Sequence, residues 1–156
     1  MGLATFIGGI HPYEGKELSE DKPIQFIVPE KGEEMVYPLS QHIGAPAKPL
    51  VAKGDQVLKG QIIAEAGGFI SANVLSSVSG TVKGIEPRLV ANGAMVQSII
   101  VENDGEENAI EGFGNARDYT KLSKEEIRNI IKEAGIVGLG GAGFPTHVKL
   151  TPKDEA

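Results

Sequence analysis

Cysteine and tryptophan are both absent from the 156-residue sequence. Without a thiol the chain forms no disulfide and offers no thiolate to an iron–sulfur cluster. Aromatic residues make up only 5%, too few for a platform that stacks the bases of single-stranded nucleic acid. A formal net charge of −6 also argues against nucleic acid, because binders of the phosphate backbone carry an excess of Lys and Arg. No apolar run approaches the roughly 20 residues that cross a bilayer. Residues 1–10 lack the positive n-region and cleavage site of a secretory signal. His11, His42 and His147 are too scattered for a metal-ligand motif, and Asp104, Glu106 and Glu107 lack EF-hand spacing. Ser76, Ser77 and Ser79 have no nucleophile elbow around them. No metal ligand and no catalytic residue is therefore assigned. What remains is an ordinary globular composition, 40% hydrophobic and 23% charged, with 21 glycines.

Those glycines punctuate a mainly β chain with a smaller α/β part. Residues 1–38 read as an irregular arm with one strand, placed at 23–29, where Pro23 and Pro29 stand at the ends rather than inside. Residues 39–103 hold an internal repeat: Val51, Ala52, Gly54 and Val57 return as Val90, Ala91, Gly93 and Val96. Ile62, Ile63, Ala64 and Glu65 likewise return as Ile99, Ile100, Val101 and Glu102. Duplication of this kind predicts two interlocking halves that bury one shared face in a small sandwich or barrel. Residues 104–122 read as a polar linker.

Residues 123–156 begin with a punctuated helix. Ser123 and Glu126 have the spacing of a capping box, and Gly135 supplies the stop. Ile127, Ile130, Ile131 and Ala134 fall at i, i+3, i+4 and i+7, which predicts one buried stripe. A loop with four glycines in six positions follows: Gly138, Leu139, Gly140, Gly141, Ala142 and Gly143. Glycine lets a ligand approach the backbone and permits positive φ, so that successive N–H groups turn toward one anion. Pro145 stiffens the exit, and Lys149 brings a positive charge suited to phosphate. As a bare pattern the loop fits either a nucleotide or flavin phosphate cradle or a glycine turn without a ligand. The dinucleotide fingerprint it matches expects a preceding strand, a following helix and a later acidic residue. Only Ile136 and Val137 precede the first glycine, and Pro145 follows almost at once.

Two resemblances narrow these alternatives. The run Gly54, Asp55, Val57, Gly60, Gln61 and Ile63, followed by Ser79, Gly80, Thr81 and Val82, resembles the lipoyl and biotinyl domains, implying a barrel-sandwich hybrid over 39–103. Carrier members present a lysine on the hairpin between the halves, whereas residues 67–74 contain none. A lipoyl-like carrier or interaction domain without redox chemistry is thus the alternative reading, with no amine for a swinging arm. The loop Gly140, Gly141, Ala142, Gly143, Phe144, Pro145, Thr146 with Lys149 resembles the flavin-binding loop in the NADH-oxidising subunit of respiratory complex I. With Phe6, Gly8, Gly9, Ile10, His11, Pro12 and Lys16 at the other end, the chain resembles the RnfC family of Rnf electron-transport complexes.

That second resemblance implies an amino-terminal fragment, with 123–156 opening a truncated flavin/NADH-binding domain. It implies flavin mononucleotide (FMN) and NADH at Gly138, Gly140, Gly141, Gly143, Phe144 and Lys149. [4Fe–4S] clusters would belong to the intact protein and not to this chain. The implied partners are the other subunits of a membrane complex, NAD(H) and, indirectly, ferredoxin, with a peripheral place on the cytoplasmic face of the membrane. The implied reaction is ion-translocating ferredoxin:NAD⁺ oxidoreduction, with this stretch supplying a scaffold and one wall of the flavin/NADH site. Leu139 stands where the complex I loop carries arginine, removing one charged fork of donors.

Overall fold

The computed structural model describes residue 13 and residues 15–151. The opening residues 6–12, which carry part of the resemblance and include His11, lie outside them. Among the described residues seven strands form two antiparallel sheets: β1 (Glu34–Pro38), β2 (Lys48–Pro49), β3 (Gln56–Val57), β4 (Ile62–Glu65), β5 (Val74–Leu75), β6 (Gly80–Leu89) and β7 (Met95–Asn103). One sheet runs β1-β7-β6-β3 and the other β2-β4-β5. The helices α1 (Lys124–Glu133) and α2 (Thr146–Lys149) follow the strands.

The repeat builds the core. Gly54 and Gly93 both turn the chain at positive φ, +97° and +83°, as their matching positions predict. Beyond these turns the two copies part: the first contributes β4 to the small sheet, the second β7 to the large one. Ile63 and Ala64 from the one meet Ile99 and Val101 from the other in a single buried cluster. Tyr37, Leu39, Ala47, Val57, Val74, Val78 and Val82 belong to the same cluster. β-Branched side chains suit this role because they pack stiffly on a pleated surface. Removing any one of the large members opens a cavity that its neighbours fill only in part.

A buried tyrosine ties the sheets to the connecting segment. Tyr37 on β1 accepts a hydrogen bond from the Ser77 amide at 3.0 Å, and its hydroxyl lies 2.9 Å from the Ser77 hydroxyl. The residue is 8% exposed, so the phenol must find partners inside the protein.

The strand of the amino-terminal region is not the one expected. Residues 23–29 pair with no strand, and Ile24, Phe26 and Ile27 are exposed. Prolines at both ends remove ladder donors, and a turn at residues 30–33 redirects the chain. There Asn103 donates to the carbonyls of Pro29 and Glu30 at 3.1 and 3.0 Å. The edge of β7 is taken instead by Glu34–Pro38, in register from Glu34 opposite Glu102 to Pro38 opposite Ser98. The large sheet thus takes in residues ahead of Leu39.

Candidate functional site

Helix α1 aims the chain into the glycine loop. Ser123 Oγ accepts from the Glu126 amide at 3.2 Å, while Glu126 Oε2 accepts from the Ser123 amide at 2.7 Å. Both halves of the capping box are therefore made. These bonds from Ser123 hold the Glu126 carboxyl below the usual carboxylate range. At the other end Gly135 takes φ +64°. Its amide donates to Lys132 O at 3.1 Å and the Ile136 amide to Ile131 O at 3.2 Å, the two bonds of a Schellman stop. A Cβ on Gly135 would run into the Asn73 carbonyl oxygen. The helix thus ends pressed against the hairpin between the repeats, where Asn73 Nδ2 also donates to Glu133 O at 3.4 Å.

The apolar stripe is shallower than its spacing predicts. Ile127, Ile130 and Ile131 are half-buried, Ala134 is exposed, and no residue of α1 is fully buried. The reason is a groove of about 670 Å³ between the helix, β4, β5 and the linker. Ile62, Leu75, Ile110, Phe113, Ile130 and Ala134 are among the residues lining it, and none of the glycine loop does.

The loop itself is a narrow ribbon. Val137 and Pro145 form an antiparallel bridge, the Gly138 amide donates to Phe144 O at 2.9 Å, and Thr146 donates to Ile136 O at 3.0 Å. At the tip the Gly143 amide turns back to Gly140 O at 3.0 Å. The glycines consequently divide into two kinds. Gly138 and Gly143 use their amides to hold the ribbon together. The amides of Gly140 and Gly141 have no hydrogen-bond partner among the described residues, and a Cβ on either would meet nothing within 4 Å.

Positive φ is confined to Gly143, at +56°, so the loop is not the run of left-handed residues that four glycines permit. The intramolecular demand for glycine is also concentrated there. A Cβ on Gly143 would lie 2.8 Å from Gln41 O and 3.2 Å from His42 Cα. The neighbouring Ala142 carbonyl accepts from the Ile43 amide at 3.0 Å. Residues 41–43 of the β-rich part are thus the floor of the loop.

Lys149 folds back from α2 toward the ribbon. Its ammonium lies 5.8 Å from the centre of the Phe144 ring, within cation–π range. It also sits 3.3 Å from where a Gly138 Cβ would be. Gly138, Phe144 and Lys149 are therefore brought together at the base of the loop, while Gly140 and Gly141 stand at its open tip. Leu139, fully exposed beside them, adds no charge to the tip. On the other face of α2, His147 is half-buried and its Nδ1 has no partner among the described residues. Burial, and then the Lys132 charge, push its pKa below the ordinary histidine value, so the ring is neutral at neutral pH.

His42 and Asn73, to which the sequence pattern assigns no role, bond the hairpin between the repeats to the segment under the loop and to the end of its helix, respectively. Neither sits in a recognisable sequence motif, and each has one partner far along the chain, Ala72 for His42 and Glu133 for Asn73. No cluster of three or more potential metal ligands occurs among the described residues.

Comparison with known proteins bears on both halves of the structure. Residues 4–106 match the family described as the RnfC barrel sandwich hybrid domain. Over 151 residues the chain is 45% identical to the C component of the proton-translocating ferredoxin:NAD(+) oxidoreductase complex of Clostridium ljungdahlii, a match covering 96% of this chain and 32% of that protein. It is 44% identical over 155 residues to the C component of the Na(+)-translocating ferredoxin:NAD(+) oxidoreductase complex of Acetobacterium woodii, with coverage of 97% and 34%. The C component of an ion-translocating oxidoreductase complex of Vibrio cholerae is 40% identical over 150 residues, with coverage of 95% and 19%. The chain spans about a third or less of the length of these relatives.

Proposed function

The chain belongs to the RnfC family through its barrel-sandwich hybrid, and from that premise we propose that it serves the NAD(H)-linked electron-transfer subunit of a membrane-bound, ion-translocating ferredoxin:NAD⁺ oxidoreductase. On this reading the hybrid is a scaffold and residues 138–149 are one wall of the FMN/NADH site. The observation that carries it is the loop tip: two adjacent glycine amides without partners among the described residues, cleared of side chains, on a ribbon that also holds an ammonium group. Such amides suit a phosphate, because backbone N–H groups without a partner are donors that an anion can satisfy without charged side chains. Gly140 and Gly141 would donate to the phosphate of FMN, and Lys149 would add its charge after leaving the Phe144 ring. Gly138 and Gly143 would keep the ribbon in shape, and Phe144 would offer an apolar edge to the rings of flavin or nicotinamide. When bound, the flavin supplies the conversion between two-electron hydride chemistry and single-electron transfer. This chain's residues position it and carry no proton of their own.

The described residues form one side of such a site, so the remaining contacts fall to sequence that the longer relatives possess. The [4Fe–4S] clusters also fall outside this chain, which has no thiolate to hold one. The partners are then the other subunits of the complex, NAD(H) and, through them, ferredoxin. No described helix is long and apolar enough to cross a membrane. We place the chain peripherally on the cytoplasmic face, held there by its partner subunits.

An FMN titration tests the reading. This chain alone is compared with the same chain joined to the remaining length of the Clostridium ljungdahlii relative. Saturable binding is expected only in the extended protein, because one wall does not offset the loss of freedom on binding. Gly141→Val should abolish it and Lys149→Ala should weaken it. Equal affinity in the short and extended proteins would refute the proposal that the site is shared.

A further inference from the structure

We propose that His42 is a positioning residue for the glycine loop, and that the lysine-free hairpin between the repeats is the platform on which it acts. Both ring nitrogens of His42 are engaged. Nε2 accepts from the Ala72 amide at 3.1 Å, and Nδ1 lies 2.9 Å from Ile43 O. A carbonyl only accepts and an amide N–H only donates, so the proton sits on Nδ1 and Nε2 is bare. The two bonds select a single tautomer.

These bonds reach the loop through one residue. Ile43 receives the His42 Nδ1–H at its carbonyl and gives its own amide to Ala142 O at 3.0 Å. On the adjacent peptide, Gly143 rests on Gln41 O and His42 Cα so closely that a methyl group would not fit. The imidazole therefore fixes the strip of backbone from which the loop tip hangs. Its other end is rooted in the hairpin at Ala72, which is 1% exposed.

The hairpin is built to resist movement. Ser71 Oγ donates to Ala45 O at 2.8 Å and accepts from the Gly67 amide at 2.9 Å. The Ala66 amide donates to Asn73 Oδ1 at 2.9 Å, and Asn73 Nδ2 holds the end of α1. In a carrier domain this hairpin projects a lysine on which a group swings. Here it is fastened on one side to residues 42–45 and on the other to the helix that leads into the loop. The geometry gives the hybrid a task of its own: aiming the loop from two points, His42 and Asn73. The inference rests on the flavin reading of the loop for its second test only.

The first test needs no ligand. Amide hydrogen exchange is followed at Ala72, Gly138 and Gly143 in the wild type, His42→Phe and His42→Gln. Phenylalanine keeps the ring shape and loses both bonds; glutamine retains an oxygen able to accept from Ala72. We expect exchange at all three amides to rise by about tenfold in His42→Phe, the order of effect of a broken buried hydrogen bond. His42→Gln should restore much of the protection. Faster exchange at Ala72 with Gly138 and Gly143 unchanged would overturn the proposal, since His42 would then close the hairpin without positioning the loop. Nitrogen NMR of the imidazole should show the proton on Nδ1, and the opposite tautomer would equally overturn it. Should His42→Phe not fold, His42→Asn, too short to reach Ala72, replaces it with the same expected outcomes.

The second test is FMN titration of the extended protein, where His42→Phe should weaken binding about tenfold and His42→Gln should recover it. If the wild type binds no flavin while the loop amides still follow His42, the flavin reading fails and the positioning role stands. If flavin binds and the loop amides ignore His42, the positioning role fails alone.

Discussion

Gly141→Ala and Gly143→Ala change the same group two residues apart in the same loop, and the structure assigns them opposite consequences for stability. Gly141 has ordinary φ, and an added Cβ meets no atom within 4 Å. Alanine there loses no contact and reduces the freedom of the unfolded chain, so stability should change by no more than about 0.5 kcal/mol, or rise slightly. Gly143 has φ +56°, and its Cβ would press to 2.8 Å from Gln41 O. A left-handed alanine alone costs about 1–2 kcal/mol, and the obstacle is backbone that does not swing aside. A total near 2–3 kcal/mol corresponds to a fall in Tm of roughly 5–10 °C for a chain of this size. Calorimetry measures the difference directly. If the loop melts ahead of the sheets, exchange at the Gly138 and Gly143 amides records the same loss locally. Equal losses in the two variants would refute the division of glycines into those the fold needs and those it leaves open. The division also separates stability from binding: Gly141→Val should leave the Tm of the extended protein nearly unchanged while removing its affinity for FMN.

Ile63→Ala, at a side chain with no exposed surface in the shared core, should lower unfolding free energy by about 2–5 kcal/mol in urea titrations. Tyr37→Phe leaves the Ser77 amide without its acceptor and should cost about 1–3 kcal/mol by the same measurement. His147 has its folded pKa lowered by burial and by Lys132, so between the folded and unfolded values the unfolded chain binds more protons. Stability should therefore fall as pH drops below the unfolded value of about 6.5, and His147→Gln should flatten that part of the profile. The Glu126 carboxyl, lowered by the Ser123 bonds, stabilises α1 above the unfolded carboxylate value and ceases to do so as pH falls through the folded one. Helix content measured by circular dichroism should follow that loss in the wild type and not in Ser123→Ala.

Local chemistry in the sequence is a good guide wherever the structural reason is local. The capping box and Schellman stop of α1 involve residues three to five apart, and both are formed as their spacing predicts. The duplicated isoleucine segments are legible because each copy supplies apolar side chains to the common core, Ile63 and Ala64 from one and Ile99 and Val101 from the other. The glycine-rich loop stands out by composition, but its four glycines do two different jobs, and only the contacts of residues 41–43 reveal which is which. Residues 23–29 illustrate the opposite failure. Their composition is that of a strand, yet a strand exists only when another edge accepts it, and β7 is taken by residues 34–38. His42 and Asn73 are invisible for a related reason: one histidine and one asparagine in connecting segments each depend on a partner 30 or 60 residues away in the chain.

The distance between anchor and load has a consequence for how the protein is made. Asn73 precedes the Glu133 carbonyl it holds by 60 residues, and His42 precedes the loop by still more. During synthesis both moorings leave the ribosome, and the sheets that carry them can settle, before the glycine ribbon emerges. The ribbon then arrives at a finished berth, instead of searching for its shape alongside the rest.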